Sequence, residues 1–107
     1  MRRAFLSRVA DMIRNEPDTT FFTVDIGMWA IRDVLRDFPE RCTNVGIYED
    51  AMFSIAAGMS RRGLVPTIFG IQPYLIERTL EQIKMDLAYQ KLGVNVVGTG
   101  AAVDYPK

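Results

Sequence analysis

The stretch NVGIYEDAMFSIAAGM, residues 44–59, sets an apolar run, two carboxylates and a second, small-residue apolar run end to end. Its first part, Asn44 to Tyr48, reads as a short buried strand. Its last part reads as a helix with Ala51, Ile55 and Met59 in one stripe, and Ala56, Ala57 and Gly58 offering a thin face for close packing. Glu49 and Asp50 fall between the two. Glutamate is seldom buried without a partner, so two readings stand. Either the acids are an ordinary polar helix start, with Asp50 capping free N–H groups and complementing the dipole, or one is held in a dry pocket for chemistry.

The same alternation of strand and helix extends outward. Phe5, Val9, Met12 and Ile13 recur at helical spacing and stop at Asn15, Glu16 and Pro17, which predicts a first helix over about 3–15. TTFFTVDIG is β-branched and aromatic and ends at Asp25 and Gly27, a strand over about 20–25. Met28, Ile31, Leu35 and Phe38 share a helical face that Pro39 ends. Gly63 stands where a left-handed helix terminator is wanted, and the strand VPTIFGI follows. Ile76, Leu80, Ile83 and Leu87 predict one long helix over about 74–91, closed by Gly93 before the strand VNVVG. Strands apolar along their whole length, separated by amphipathic helices, call for an open, doubly wound, mostly parallel α/β sheet with helices on both faces. One domain over 1–107 accounts for the chain. The tail AAVDYPK follows the last strand with no covering helix, and the domain reads as cut short at its C-terminus.

Composition removes several function classes. Thirteen basic and 13 acidic residues balance among 107, without a basic face, so no nucleic acid is expected as a partner. Arg2–Arg3 and Arg61–Arg62 read as solvated helix ends. Arg8 and Asp11 interrupt the N-terminal apolar stretch before it reaches the length of a secretory signal. No apolar run is long enough to span a bilayer, so no membrane partner and a cytoplasmic location are expected. Cys42 is alone, which excludes an internal disulfide, and there is no histidine, which removes His-based triads and most zinc sites; no metal ligands are expected.

In open α/β sheets ligands bind beyond the carboxyl ends of the strands. Asp25, the pair Glu49 and Asp50, and the segment from Gly70 to Tyr74 all follow strands and so converge on that rim. Tyr74 either stacks on a flat ligand or packs on its own helix. Arg78, Glu81 and Gln82 lie within one turn and are expected to tie the helix surface together or bridge to a neighbouring chain. VVGTGAAV, with Gly98 and Gly100, lacks the third glycine, the receiving helix and the later acid of a dinucleotide site.

Four motifs occur in order: D-x-G at Asp25, F-P-x-R-x-x-N-x-G-I-x-E from Phe38 to Glu49, A-A-G-x-x-x-x-G-x-x-P from Ala56 to Pro66, and E-R-x-x-E-Q-I-x-x-D from Glu77 to Asp86. In this series, from about residue 20 to 103, the chain resembles the central, pyrimidine-binding domain of transketolase and its relatives. Those relatives include 1-deoxyxylulose-5-phosphate synthase and the beta subunits of 2-oxoacid dehydrogenases. The resemblance implies the thiamine diphosphate-binding fold and a transferase that moves two-carbon ketol units between sugar phosphates. The synthase and the dehydrogenase subunit are the alternative enzymes, and a dimerising fragment is the non-enzymatic one.

By the resemblance, Glu49 hydrogen-bonds the ring nitrogen of the thiamine diphosphate aminopyrimidine and is the catalytic carboxyl. Its proton exchange with that nitrogen promotes the tautomer that thiamine chemistry needs. The resemblance further implies Asp25 near the cofactor and Tyr74 near the pyrimidine-stacking aromatic, a place that a second alignment gives to Leu75. Magnesium and the diphosphate are implied to be held by a domain or subunit that this chain lacks, in a homodimer or hetero-oligomer. A later loop with a catalytic histidine, G-x-T-H in the family, is not within the sequence. The chain alone is therefore expected to be inactive.

Overall fold

Four short runs of β-branched and aromatic residues pair side by side in a computed structural model that describes residues 1–101. β1 (Thr19–Thr23), β2 (Cys42–Asn44), β3 (Val65–Ile71) and β4 (Asn95–Thr99) form one all-parallel sheet in the order β2-β1-β3-β4. On one face lie α1 (Arg2–Asn15) and α2 (Met28–Asp37). The other face carries α3 (Glu49–Arg61), α4 (Gln72–Ile76), α5 (Leu80–Gln82) and a π-helical segment, Ile83–Ala88. This is the doubly wound α/β architecture that the sequence predicts. The chain runs outward from β1 to β2 and then returns past β1 to β3, which sets the reversal of strand order between β1 and β3.

Phe21 and Phe22 show why a central strand is apolar throughout. Period-two alternation sends Phe21 among Leu6, Ile13, Ile31, Val34 and Phe69, and Phe22 among Met52, Phe53, Ala56, Ile68 and Leu75. Burying each ring contributes roughly 1.5–3 kcal/mol. Beside Phe22, Thr20 points a buried hydroxyl that finds no hydrogen-bond partner among the described residues. Thr20→Val is therefore expected to raise stability by about 1 kcal/mol, because it removes an unpaired polar atom at nearly constant shape. Urea unfolding measures this, and a lower midpoint would show that the hydroxyl is satisfied after all.

Three local expectations are corrected. β2 lies at Cys42–Asn44, not 44–48, because Gly46 takes φ +77 and the Asn44 carboxamide accepts the Gly46 N–H at 3.1 Å, which turns the chain out of the ladder. The buried face of α3 is Met52, Phe53, Ala56 and Ala57, whereas Ile55 of the predicted stripe is 41% exposed. Ala56 and Ala57 thus pack against the chain's own sheet, which removes them as a free surface for close helix contact. The predicted helix over 74–91 is broken into α4, α5 and the π-helical segment. Thr79 is buried and donates its hydroxyl back to the Leu75 carbonyl, a bond that bends helices, and the wider π turn shifts the register. Leu75, Thr79 and Leu87 face inward, while Ile76 and Leu80 of the predicted stripe are exposed. The left-handed residue closing this region is Lys91, φ +55, rather than Gly93.

On the α1 face, an open cleft of about 880 Å³ borders β4, lined among others by Phe5, Phe69, Val97, Trp29 and Arg2. Arg2 donates to Thr99 Oγ1 at 3.1 Å, and Arg3 lies over the Trp29 ring. Of the predicted uncovered tail, residues 101–107, positions 102–107 lie outside the described residues. No helix among the described residues is long and apolar enough to cross a membrane.

Candidate functional site

Because every strand is parallel, all four carboxyl ends open on one rim, and the acids that follow β1 and β2 meet there. Asp25 leaves β1 in a left-handed conformation, φ +53, that Asn44 holds in place. The Asn44 carboxamide accepts the Asp25 backbone N–H at 2.9 Å and donates to the Asp25 carboxylate at 2.6 Å. With the Gly46 contact, one side chain thereby fastens the exit of β1 to the turn that leads to α3. Asp25 is exposed, and it bonds to Asn44 rather than to Glu49.

Glu49 is the first residue of α3, two positions earlier than a cap at Asp50 predicts. Tyr48 occupies the cap position without a side-chain bond, and Asp50 is an exposed first-turn acid whose carboxylate accepts the adjacent Ala51 N–H. Both acids suit the positive end of the helix. Glu49 alone is buried, at 3% exposure. A carboxylate in that position needs compensation, and Arg78 supplies it: the guanidinium Nη1 donates to Glu49 Oε2 at 2.9 Å. No described residue donates to Oε1.

Arg78 comes from the turn between α4 and α5. Pro73 sits in the first turn of α4, where its missing N–H costs nothing, and starts the helix directly after β3. The break at Thr79 then turns Arg78 back over the sheet rim. Its side chain is 48% exposed, and its guanidinium carbon lies 4.5 Å from the centre of the Tyr74 ring. Tyr74 is 44% exposed, while Leu75, the alternative position for a stacking aromatic, is fully buried beneath the sheet rim. The expected surface tie or interchain bridge of Arg78 is therefore corrected: it pairs inside the chain, with Glu49. Sequence spacing had no means of finding this pair, since its members are 29 residues apart. The one available signal was the buried acid itself, which demands a cation.

Other chemistry recedes. Burial pushes the Cys42 thiol up to about 11, so it is no thiolate nucleophile. Among the described residues there is no cluster of three or more His, Cys, Asp or Glu side chains suited to a metal. Gly98 lies within β4, where an added Cβ would stand 2.8 Å from Gln72 Cβ; its role is close packing of α4 on the sheet.

The all-parallel sheet with helices on both faces is the fold that the motif series implied. The family described as "Transketolase, pyrimidine binding domain" matches residues 1–107. The chain belongs to this family. It is 33% identical over 104 residues to an uncharacterized 33.6 kDa protein of the fasciation locus of Rhodococcoides fascians, a match covering 97% of this chain and 33% of that protein. It is 31% identical over 101 residues to an apulose-4-phosphate transketolase subunit of Actinobacillus succinogenes, covering 94% of this chain and 32% of the relative. Among solved structures it is similar to a split gene transketolase, described as an inactive beta4 tetramer, with TM-score 0.78, 26% identity, and coverage of 91% of this chain and 33% of that one. The chain thus spans about a third of the length of these relatives.

Proposed function

We propose that this chain forms the aminopyrimidine-binding part of a thiamine diphosphate site in a transketolase-type enzyme that transfers two-carbon ketol units between sugar phosphates. The observation that carries this reading is Glu49: a carboxylate almost wholly buried at the strand rim, with Oε1 lacking a donor among the described residues. Such an oxygen suits a ring nitrogen that shares a proton, so the residues present fit the aminopyrimidine. When bound, the cofactor supplies a carbanion that accepts and releases the two-carbon unit.

The chain's own residues then divide the work. Glu49 holds or yields a proton at its free carboxyl oxygen, and burial at the helix start fixes the direction of that oxygen. Asp25, through Asn44, fixes the turn that carries Glu49 and stands on the same rim near the cofactor. Tyr74 presents an aromatic face to the Arg78 guanidinium that pairs with the carboxylate. Magnesium and the diphosphate belong to a second domain or subunit. Ile47 and Tyr48, exposed immediately before Glu49, suit a surface that such a partner covers.

Calorimetry tests this division. The chain alone, titrated with thiamine diphosphate and magnesium, is expected to show no submicromolar binding, because the diphosphate supplies much of the anchoring. Addition of a magnesium-binding transketolase subunit is expected to produce tight binding. Submicromolar affinity in the chain alone would overturn the split site, and no binding with the subunit present would overturn the cofactor assignment.

A further inference from the structure

Arg78 makes two contacts at once: a hydrogen bond to Glu49 Oε2 at 2.9 Å and a cation–π contact with Tyr74 at 4.5 Å. The guanidinium is flat, delocalised and nitrogen-edged, as an aminopyrimidine ring is. It therefore covers the Tyr74 face on which a bound aminopyrimidine would stack, and holds the Glu49 carboxyl through Oε2, beside the oxygen open to a ring nitrogen. We infer that Arg78 is a built-in placeholder, which closes the aminopyrimidine site in the free chain and is displaced when the ligand enters. The inference rests on the reading of Glu49 as the aminopyrimidine contact.

Two physical arguments support displacement. Without ligand, a buried carboxylate at Glu49 needs a countercharge, so a cation that leaves only when something replaces it keeps the free chain stable. The guanidinium is also easy to release. Its side chain is half in water, and only Nη1 hydrogen-bonds a described residue, so swinging outward leaves no donor stranded in a dry environment. A ligand that must compete with a closed state loses affinity in proportion to the fraction that is open. A placeholder closed about nine-tenths of the time weakens the ligand about tenfold.

This gives a sign that distinguishes a placeholder from a residue that merely supports the site. The probe is the hydroxymethyl aminopyrimidine that makes up half of thiamine, without thiazolium or diphosphate. Its binding to the 107-residue chain is read from the Tyr74 ring resonances by NMR. Arg78→Met is expected to tighten binding about tenfold, and Arg78→Lys, which keeps the charge but not the flat stack, a few-fold. Unchanged, weaker or undetectable binding in Arg78→Met overturns the placeholder. Should that variant fail to fold, Arg78→Lys decides alone: a few-fold gain supports the inference, and no gain overturns it. Glu49→Gln separates this from the underlying reading. If it binds the probe as well as the unmodified chain does, Glu49 is not the aminopyrimidine contact, whatever the Arg78 variants show.

Discussion

Glu49→Gln, in the chain combined with a magnesium- and diphosphate-binding subunit, is expected to slow hydrogen–deuterium exchange at the thiazolium C2 of bound thiamine diphosphate by at least about a hundredfold. The substitution isolates one property. Glutamine has nearly the shape of glutamate, and in the ligand-free chain its amide oxygen still accepts from Arg78 Nη1, so the contact that ties α3 to the α4–α5 turn before the cofactor enters survives. What disappears is the ability to exchange a proton with a ring nitrogen. The far-UV spectrum is expected to stay unchanged, because Glu49 occupies the first helical position rather than the packed face of Met52 and Phe53. An unchanged exchange rate would remove Glu49 from the chemistry. A lost fold would show instead that the ion pair with Arg78 is structural.

Gly27→Ala has the largest expected effect on stability, about 2–4 kcal/mol. Gly27 is the cap of α2 at φ +73, a region that costs an L-residue roughly 1–2 kcal/mol. It is also enclosed. An added Cβ would stand 2.8 Å from Leu6 Cδ1 and 3.1 Å from Phe69 Cε1, two side chains fixed in the core beneath α1. Overpacking there adds about 1–3 kcal/mol. In urea the unfolding midpoint falls while the slope stays constant, since the surface exposed on unfolding hardly changes. A loss below about 1 kcal/mol would mean that α1 shifts away freely, and the contact between α1 and the sheet would then be looser than the packing of Phe5 on Phe69 indicates.

Where the sequence reading failed, the failures share a cause. Helical spacing predicted a single stripe of Ile76, Leu80, Ile83 and Leu87, but a buried Thr79 hydroxyl bonding to the Leu75 carbonyl breaks the helix and hands the inward positions to Leu75, Thr79 and Leu87. In α3 the inward face is chosen by the cavity between Phe22 and Ile68, which Met52, Phe53 and Ala56 fill, and the periodicity of small apolar residues fits two faces equally well. β2 is short because Asn44 turns its carboxamide to Asp25 and Gly46, and that partnership depends on β1 lying alongside. The apolar flanks made Glu49 and Asp50 legible as candidates for a buried acid, without deciding whether either is buried. The counterion of Glu49 was not legible, since Arg78 reads locally as a surface residue with helical neighbours.

Local rules settle what depends on neighbours in the chain: the order of strands and helices, the parallel sheet that such an order forces, the glycine at Gly27 and the placing of acids at strand exits. These follow from periodicity, backbone sterics and the length of a crossover, all of which act over a few residues. Tertiary structure alone decided which face each helix turns inward, and that Glu49, Arg78 and Tyr74 form one cluster. The reason is energetic. A buried charge takes its partner from whatever cation the folded rim brings within reach, and reach across the rim has no fixed relation to distance along the chain.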